Sequence, residues 1–166
     1  DFASGKYDYQ IVLPAHSVVP TLSNIACPGA IVETATVQHG ASMTFTFTVT
    51  SEDGTTQRIY TVDVQVLPSE VCTLSDLLVS GLTIDGFDPA QTTYSIELPY
   101  GTTSLPDVDY VLADNHSTAV QNTDDKTLAI TVTAEDGIHT MDYTIVFTIA
   151  KSTNADLSAI LLDNTS

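Results

Sequence analysis

The 166-residue chain is long enough for one large domain or two small ones, and a 43% apolar content rules out a disordered tract. Its formal net charge of −17, with Lys6, Arg58, Lys126 and Lys151 as its only lysine and arginine residues, excludes nucleic acid and anionic lipid surfaces as partners. No apolar run approaches the roughly 20 residues that cross a bilayer, so no membrane insertion is expected, and the opening Asp-Phe-Ala-Ser-Gly-Lys carries no signal-peptide pattern.

In chain order, Tyr9-Gln-Ile-Val-Leu-Pro14 is the first strand-like segment. Met43, Phe45, Phe47 and Val49 then alternate with Thr44, Thr46 and Thr48, the period of two that marks a strand with one buried face. Glu52-Asp-Gly54 follows, a hairpin signal because the turn needs a positive φ that glycine supplies without strain. Tyr60–Val66 completes the hairpin, and Leu74-Ser-Asp-Leu-Leu-Val79 opens the next stretch. Tyr94, Ile96 and Leu98 alternate with Ser95 and Glu97, and Leu128, Ile130 and Val132 alternate with Ala129 and Thr131. A second Glu135-Asp-Gly137 turn leads into Tyr143–Ile149. No long helical period competes with these strands.

The segments recur in order. Phe47-Thr-Val-Thr-Ser-Glu-Asp-Gly54 matches Ile130-Thr-Val-Thr-Ala-Glu-Asp-Gly137, 83 positions later. Tyr60–Val66 overlies Tyr143–Ile149, and Leu74–Val79 overlies Leu157-Ser-Ala-Ile-Leu-Leu162 at the same offset. Upstream, Phe2 and Tyr9–Pro14 overlie Phe87 and Tyr94–Pro99 at an offset of 85, the difference falling in a middle region where loops accept insertions. Short strands separated by turn signals indicate an all-β, Greek-key-like sandwich, here in two tandem copies. The expected divisions are 1–70, a sandwich without its opening strand; 71–151, a complete one; and 152–166, the opening strand of a further repeat.

At these residues the chain resembles the cadherin-like, immunoglobulin-like β-sandwich repeats of bacterial surface and secreted proteins. The carrying positions are Leu74, Leu77, Val79, Ser80 and Gly81, then Phe87, Pro89, Tyr94, Ile96, Leu98 and Pro99, then Ile130–Gly137 and Tyr143-Thr-Ile145. The first unit departs where Ser4 stands in the place of Pro89. The resemblance implies an extracytoplasmic, non-catalytic module: a spacer, stalk or adhesion domain whose partners are other surface proteins or glycans. The alternative from another class is a carbohydrate-binding module.

Candidate site residues are few. Asp53 and Asp136 recur at the turns, where aspartate hydrogen-bonds its own backbone, and are expected to be turn residues rather than metal ligands. The densest acidic pairs, Asp107 with Asp109 and Asp124 with Asp125, do not recur, and His16, His39, His116 and His139 lack zinc-ligand spacing, so no cofactor is expected. Cys27 and Cys72 either pair, contributing roughly 3–4 kcal/mol, or stay as ordinary buried thiols. Tyr7, Tyr9, Tyr60, Tyr94 and Tyr143 fall on or beside the inward register, which leaves Tyr100 and Tyr110 as the candidate exposed aromatics.

The repeat frame and the chain frame do not coincide. Leu157, Ile160 and Leu162 repeat an opening strand that the first unit lacks. The plainer expectation is a piece of a longer array. The sharper one is head-to-tail self-association, with residues 155–163 pairing with the open first unit of a neighbouring molecule.

Overall fold

The computed structural model describes residues 2–3 and 5–156, and it divides after Glu70 into two compact units. Among the described residues the chain is all-β, with eleven strands in three sheets and no helix.

The first unit contains β1 (Asp8–Leu13), β2 (Ile31–His39), β3 (Ser42–Thr50) and β4 (Gln57–Val66), joined in the order β1-β4-β3-β2. The second contains β5 (Leu74–Val79), β6 (Leu82–Thr83), β7 (Thr93–Leu98), β8 (Val108–Leu112), β9 (Thr118–Asp124), β10 (Thr127–Thr133) and β11 (Thr140–Ile149). Its strands form a sheet β7-β11-β10-β9 and a smaller sheet β6-β5-β8.

The repeat in sequence is a repeat in register. Phe47 pairs with Tyr60 as Ile130 pairs with Tyr143, both antiparallel. Tyr9 pairs with Val62 as Tyr94 pairs with Ile145, both parallel. A one-residue slip would turn every apolar side chain to the other face, so the alternating Phe45, Phe47 and Leu128, Ile130, Val132 rows hold these registers.

In the second unit the two sheets meet through one core. Leu74 and Leu77 of β5 and Val108 of β8 join Tyr94 and Leu98 of β7, Leu128, Ile130 and Val132 of β10, and Tyr143, Ile145 and Phe147 of β11. Leu74 and Leu77 are three apart, which in a regular strand would place them on opposite faces. The pairing with β8 shifts between Leu74 and Asp76, and this bulge turns both leucines inward at 0% exposure. The Leu-x-x-Leu spacing is therefore the signature of a bulged strand, which alternation alone does not reveal.

The first unit differs from the expected sandwich short of one strand: among the described residues it is a single four-stranded sheet. The span 14–30, between β1 and β2 as β8 lies between β7 and β9, contains no strand. The topology supplies the reason. In the second unit β8 pairs with β5 and with no other strand, so a stretch in its position has no ladder to join without a β5. Instead Val19 and Leu22 lean on the sheet, and Val18 and Ile25 face solvent. The inner face stays partly open: Phe45, Phe47 and Val64 are buried, but Tyr60 and Val62 are half-buried where Tyr143 and Ile145 are fully buried.

Candidate functional site

The most regular chemistry on the chain lies at the two Glu-Asp-Gly turns. In the first, the Gly54 amide donates to the Ser51 carbonyl at 2.9 Å and Gly54 takes a φ of +73°. The Asp53 carboxylate accepts from the Ser51 hydroxyl at 2.6 Å, the Thr55 amide at 3.0 Å and the Thr55 hydroxyl at 2.8 Å. In the second, Gly137 takes a φ of +69°, and Asp136 accepts from the Ile138 amide at 2.8 Å, the His139 amide at 3.0 Å and His139 Nδ1 at 2.5 Å.

Donors aimed at a carboxylate favour its charged form. The Ser51 hydroxyl, then the Thr55 amide, holds Asp53 down at about 2, and the Ile138 amide, then His139, holds Asp136 at about 2. Their strongest donors lie within three residues of the aspartate, so the recurring carboxylates organise the turns. The shallow depression beside Ser51, Glu52, Asp53 and Thr56 is open and is lined by these same turn residues.

A third local carboxylate was not singled out by sequence. Asp114 is buried; its side chain accepts from the His116 amide at 2.9 Å and meets His116 Nδ1 at 3.2 Å, and its carbonyl accepts from the Ser117 hydroxyl at 2.6 Å. The signal was present in Asp-Asn-His-Ser, since aspartate bonding the amide two residues on is a turn device. His139 and His116 thus each partner a nearby aspartate, while His39 closes β2 opposite Ser42 and His16 sits in a turn with φ +62°.

The two candidate aromatics separate. Tyr100 lies in the turn where the Thr102 amide donates to the Pro99 carbonyl at 3.2 Å, next to Gly101 at φ +85°, and is 68% exposed. Tyr110 does not share this setting. It pairs with Leu77 on β8, faces the inner side with Val108, and is half-buried against the second core. Its alternation with Asp109 and Val111 places it inward.

Cys27 and Cys72 are both free thiols. Cys27 is exposed in the strandless span of the first unit, and Cys72 is half-buried against the core of the second. Leu157, Ile160 and Leu162 lie outside the described residues.

Comparison with known proteins places one repeat in context. No family model matches the chain. A stretch of 85 residues, 49% of the chain, is 47% identical to part of a gellan lyase from a Bacillus species and covers 3% of that protein. A stretch of 88 residues, 48% of the chain, is 36% identical to part of an exo-β-1,6-galactobiohydrolase from Bifidobacterium longum subsp. longum and covers 6% of it. Each match is close in length to the repeat period, and the chain spans a small fraction of either relative.

Proposed function

We propose that this chain is a non-catalytic module of extracytoplasmic bacterial proteins that act on glycans. Its immunoglobulin-like, cadherin-like sandwich repeats serve as spacers or interaction domains beside catalytic machinery carried elsewhere. One observation carries this reading. Two proteins with different enzymatic names share with the chain a stretch of about one repeat, amounting to 3% and 6% of their lengths. A repeat-length stretch that forms so small a part of a lyase and of a hydrolase is poorly suited to hold the chemistry that distinguishes them. The turn chemistry agrees, because Asp53 and Asp136 are each engaged by donors of their own turn. Strand-rich composition and a strong negative charge suit a surface or secreted setting.

A second reading, carbohydrate binding, has a specific observation in its favour. Tyr100 stands out on a glycine turn, and an exposed aromatic face stacks well on the apolar face of a sugar ring. The two readings part in one experiment. The purified chain is incubated with gellan and with β-1,6-linked galactan, and both released reducing ends and retention on the insoluble polymer are measured. The module reading expects no release above buffer, and turnover would sink it. Retention that falls about tenfold in Tyr100→Ala would establish the binding reading.

A further inference from the structure

We propose that the fold leaves Asp85-Gly86, in the connection between β6 and β7, open to spontaneous rearrangement to isoaspartate, while closing the same reaction at its two hairpin turns. The chain holds three Asp-Gly steps: Asp53-Gly54, Asp85-Gly86 and Asp136-Gly137. Such steps are the ones prone to this chemistry, because glycine has no side chain to shield its amide nitrogen.

The reaction needs no partner but water. The glycine nitrogen adds to Cγ of the neutral aspartic acid: the N–Cγ bond forms, the Cγ–OH bond breaks, and the amide proton leaves with the hydroxyl as water. Water then reopens the cyclic imide at either carbonyl. Opening at Cγ restores aspartate. Opening at the main-chain carbonyl breaks its bond to the glycine nitrogen, so the chain runs on through Cβ and Cγ and the old carbonyl carbon becomes a free carboxylate. No atom is oxidised or reduced, and the mass returns to its starting value.

In the two hairpin turns both reacting groups are held. The Gly54 amide donates to the Ser51 carbonyl at 2.9 Å and the Gly137 amide to the Ala134 carbonyl at 3.0 Å, so each nitrogen must give up that bond before it can attack. Asp53 accepts from Ser51 and Thr55, and Asp136 from Ile138 and His139, so neither carboxyl can swing toward its glycine without leaving its donors. These donors also hold both carboxyls at about 2. Above about pH 5 they therefore carry the reactive proton about sixty-fold less often than an aspartate at 3.8.

Asp85-Gly86 differs at both groups. Its turn closes one residue later, with the Phe87 amide donating to the Ile84 carbonyl at 3.3 Å, which leaves Gly86 inside the turn at φ +70°. Among the described residues neither the Gly86 amide nor the Asp85 carboxylate has a hydrogen-bond partner, and both residues are exposed. Room does not separate the three steps, since a Cβ at Gly54, Gly86 or Gly137 would meet no atom within 4 Å. The difference lies in the hydrogen bonds.

The product adds one methylene to the backbone between Ile84 and Phe87. Ile84 is buried and its amide donates to the Leu77 carbonyl at 3.0 Å, while the Phe87 ring stacks on Tyr94 at 6.1 Å. The rearrangement thus loosens the connection that seats Phe87 against the second core, and the β10–β11 ladder, which it does not touch, keeps its register.

The test holds the full chain at about pH 5, where an ordinary aspartate is still partly protonated, and at body temperature over several weeks. Digested samples are analysed by electron-transfer fragmentation, which separates isoaspartate from aspartate. Methyl transfer from S-adenosylmethionine by an isoaspartate-specific carboxyl methyltransferase gives an independent count. Isoaspartate should form at Asp85 at least about tenfold faster than at Asp53 or Asp136. Asp85→Ser should lose the methyl-acceptor signal. In urea, where the turns are gone, the three steps should react at similar rates. A folded chain in which Asp85 stays unmodified, or reacts no faster than the other two, overturns the proposal. So does an excess at Asp85 that persists unchanged in urea, because the fold would then not be its cause.

Discussion

The Tyr143 hydroxyl joins three parts of the second unit, and its removal gives a measurable test of how the two sheets are held. It donates to the Pro89 carbonyl at 2.6 Å, 54 residues away in sequence, and accepts from the Leu74 amide at 3.2 Å, 69 residues away. Tyr143 and Leu74 are both at 0% exposure, so water cannot replace the Leu74 bond in the folded state, whereas Pro89 is exposed and its carbonyl can turn to water. Tyr143→Phe keeps the ring packing and deletes the hydroxyl. Each lost bond costs about 1 kcal/mol net, and a buried donor or acceptor left without a partner costs about 1–3 kcal/mol. The sum for the two partners is about 2–3 kcal/mol. For a domain of this size that lowers the melting temperature by roughly 10–20 °C. Tyr94→Phe is the control, since its hydroxyl bonds only the backbone of Asp88, six residues away, and half the effect is expected.

The same substitution has a pH signature. Burial pushes the Tyr143 phenol above its ordinary value. A group that holds its proton more tightly when folded contributes stability below its unfolded pKa, near 10, and that stability is lost as pH rises through the folded value. Native chain should therefore lose stability from about pH 10 upward more steeply than Tyr143→Phe. The assay is thermal unfolding followed on second-unit amide signals, at neutral pH and in a series above pH 9. A melting temperature within about 3 °C of native would refute the view that this hydroxyl fastens β5 to the facing sheet.

Two further outcomes follow from the turns. Gly54→Ala and Gly137→Ala should each destabilise their own unit by about 1–2 kcal/mol in urea unfolding; the added Cβ meets no atom within 4 Å at either site, so the cost is that of an L-residue in left-handed backbone. Turn donors hold the Asp53 and Asp136 carboxyls at about 2, below the ordinary aspartate value near 3.8, so their contribution is complete above about pH 4 and is lost as pH falls toward 2. Replacing both by asparagine should flatten stability across that window, measured by thermal unfolding between pH 2 and 5, while leaving the profile above pH 5 parallel to native.

The strands with one buried face were legible because burial forces a period of two. Met43 to Val49, Tyr94 to Leu98 and Leu128 to Val132 read directly as β3, β7 and β10. The edge strands β2 and β9 did not, since their residues are mostly exposed on both faces and Thr34, Thr36, Gln121 and Thr123 impose no pattern. β8 was lost for another reason. Val108, Tyr110 and Leu112 do alternate, but they lie in the part of the unit where the repeat breaks, and without that guide Tyr110 stays a candidate for exposure. The turn aspartates were legible because their chemistry is local. Asp114 was equally local and escaped notice because it occurs once, whereas Asp53 and Asp136 declared themselves by recurring.

The comparison of the two units separates what a sheet supplies from what a second layer supplies. Both large sheets have the same strand order by homology of position, the same parallel first strand and the same register. The ladders within each large sheet correspond, and none of them involves β5. What β5 changes is burial: Tyr60 and Val62 remain half-buried at positions where Tyr143 and Ile145 reach 0% exposure. Full burial of one such side chain contributes about 1.5–3 kcal/mol, so half-burial at these two positions forgoes about 1.5–3 kcal/mol, a sizeable part of the stability of a small domain. The strand Leu-x-x-Leu of the second unit thus covers the facing sheet with Leu74 and Leu77, although it shares no ladder with that sheet. Register and cover are therefore held by different contacts: the hairpins keep their register through their ladders, and β5 of the second unit adds burial.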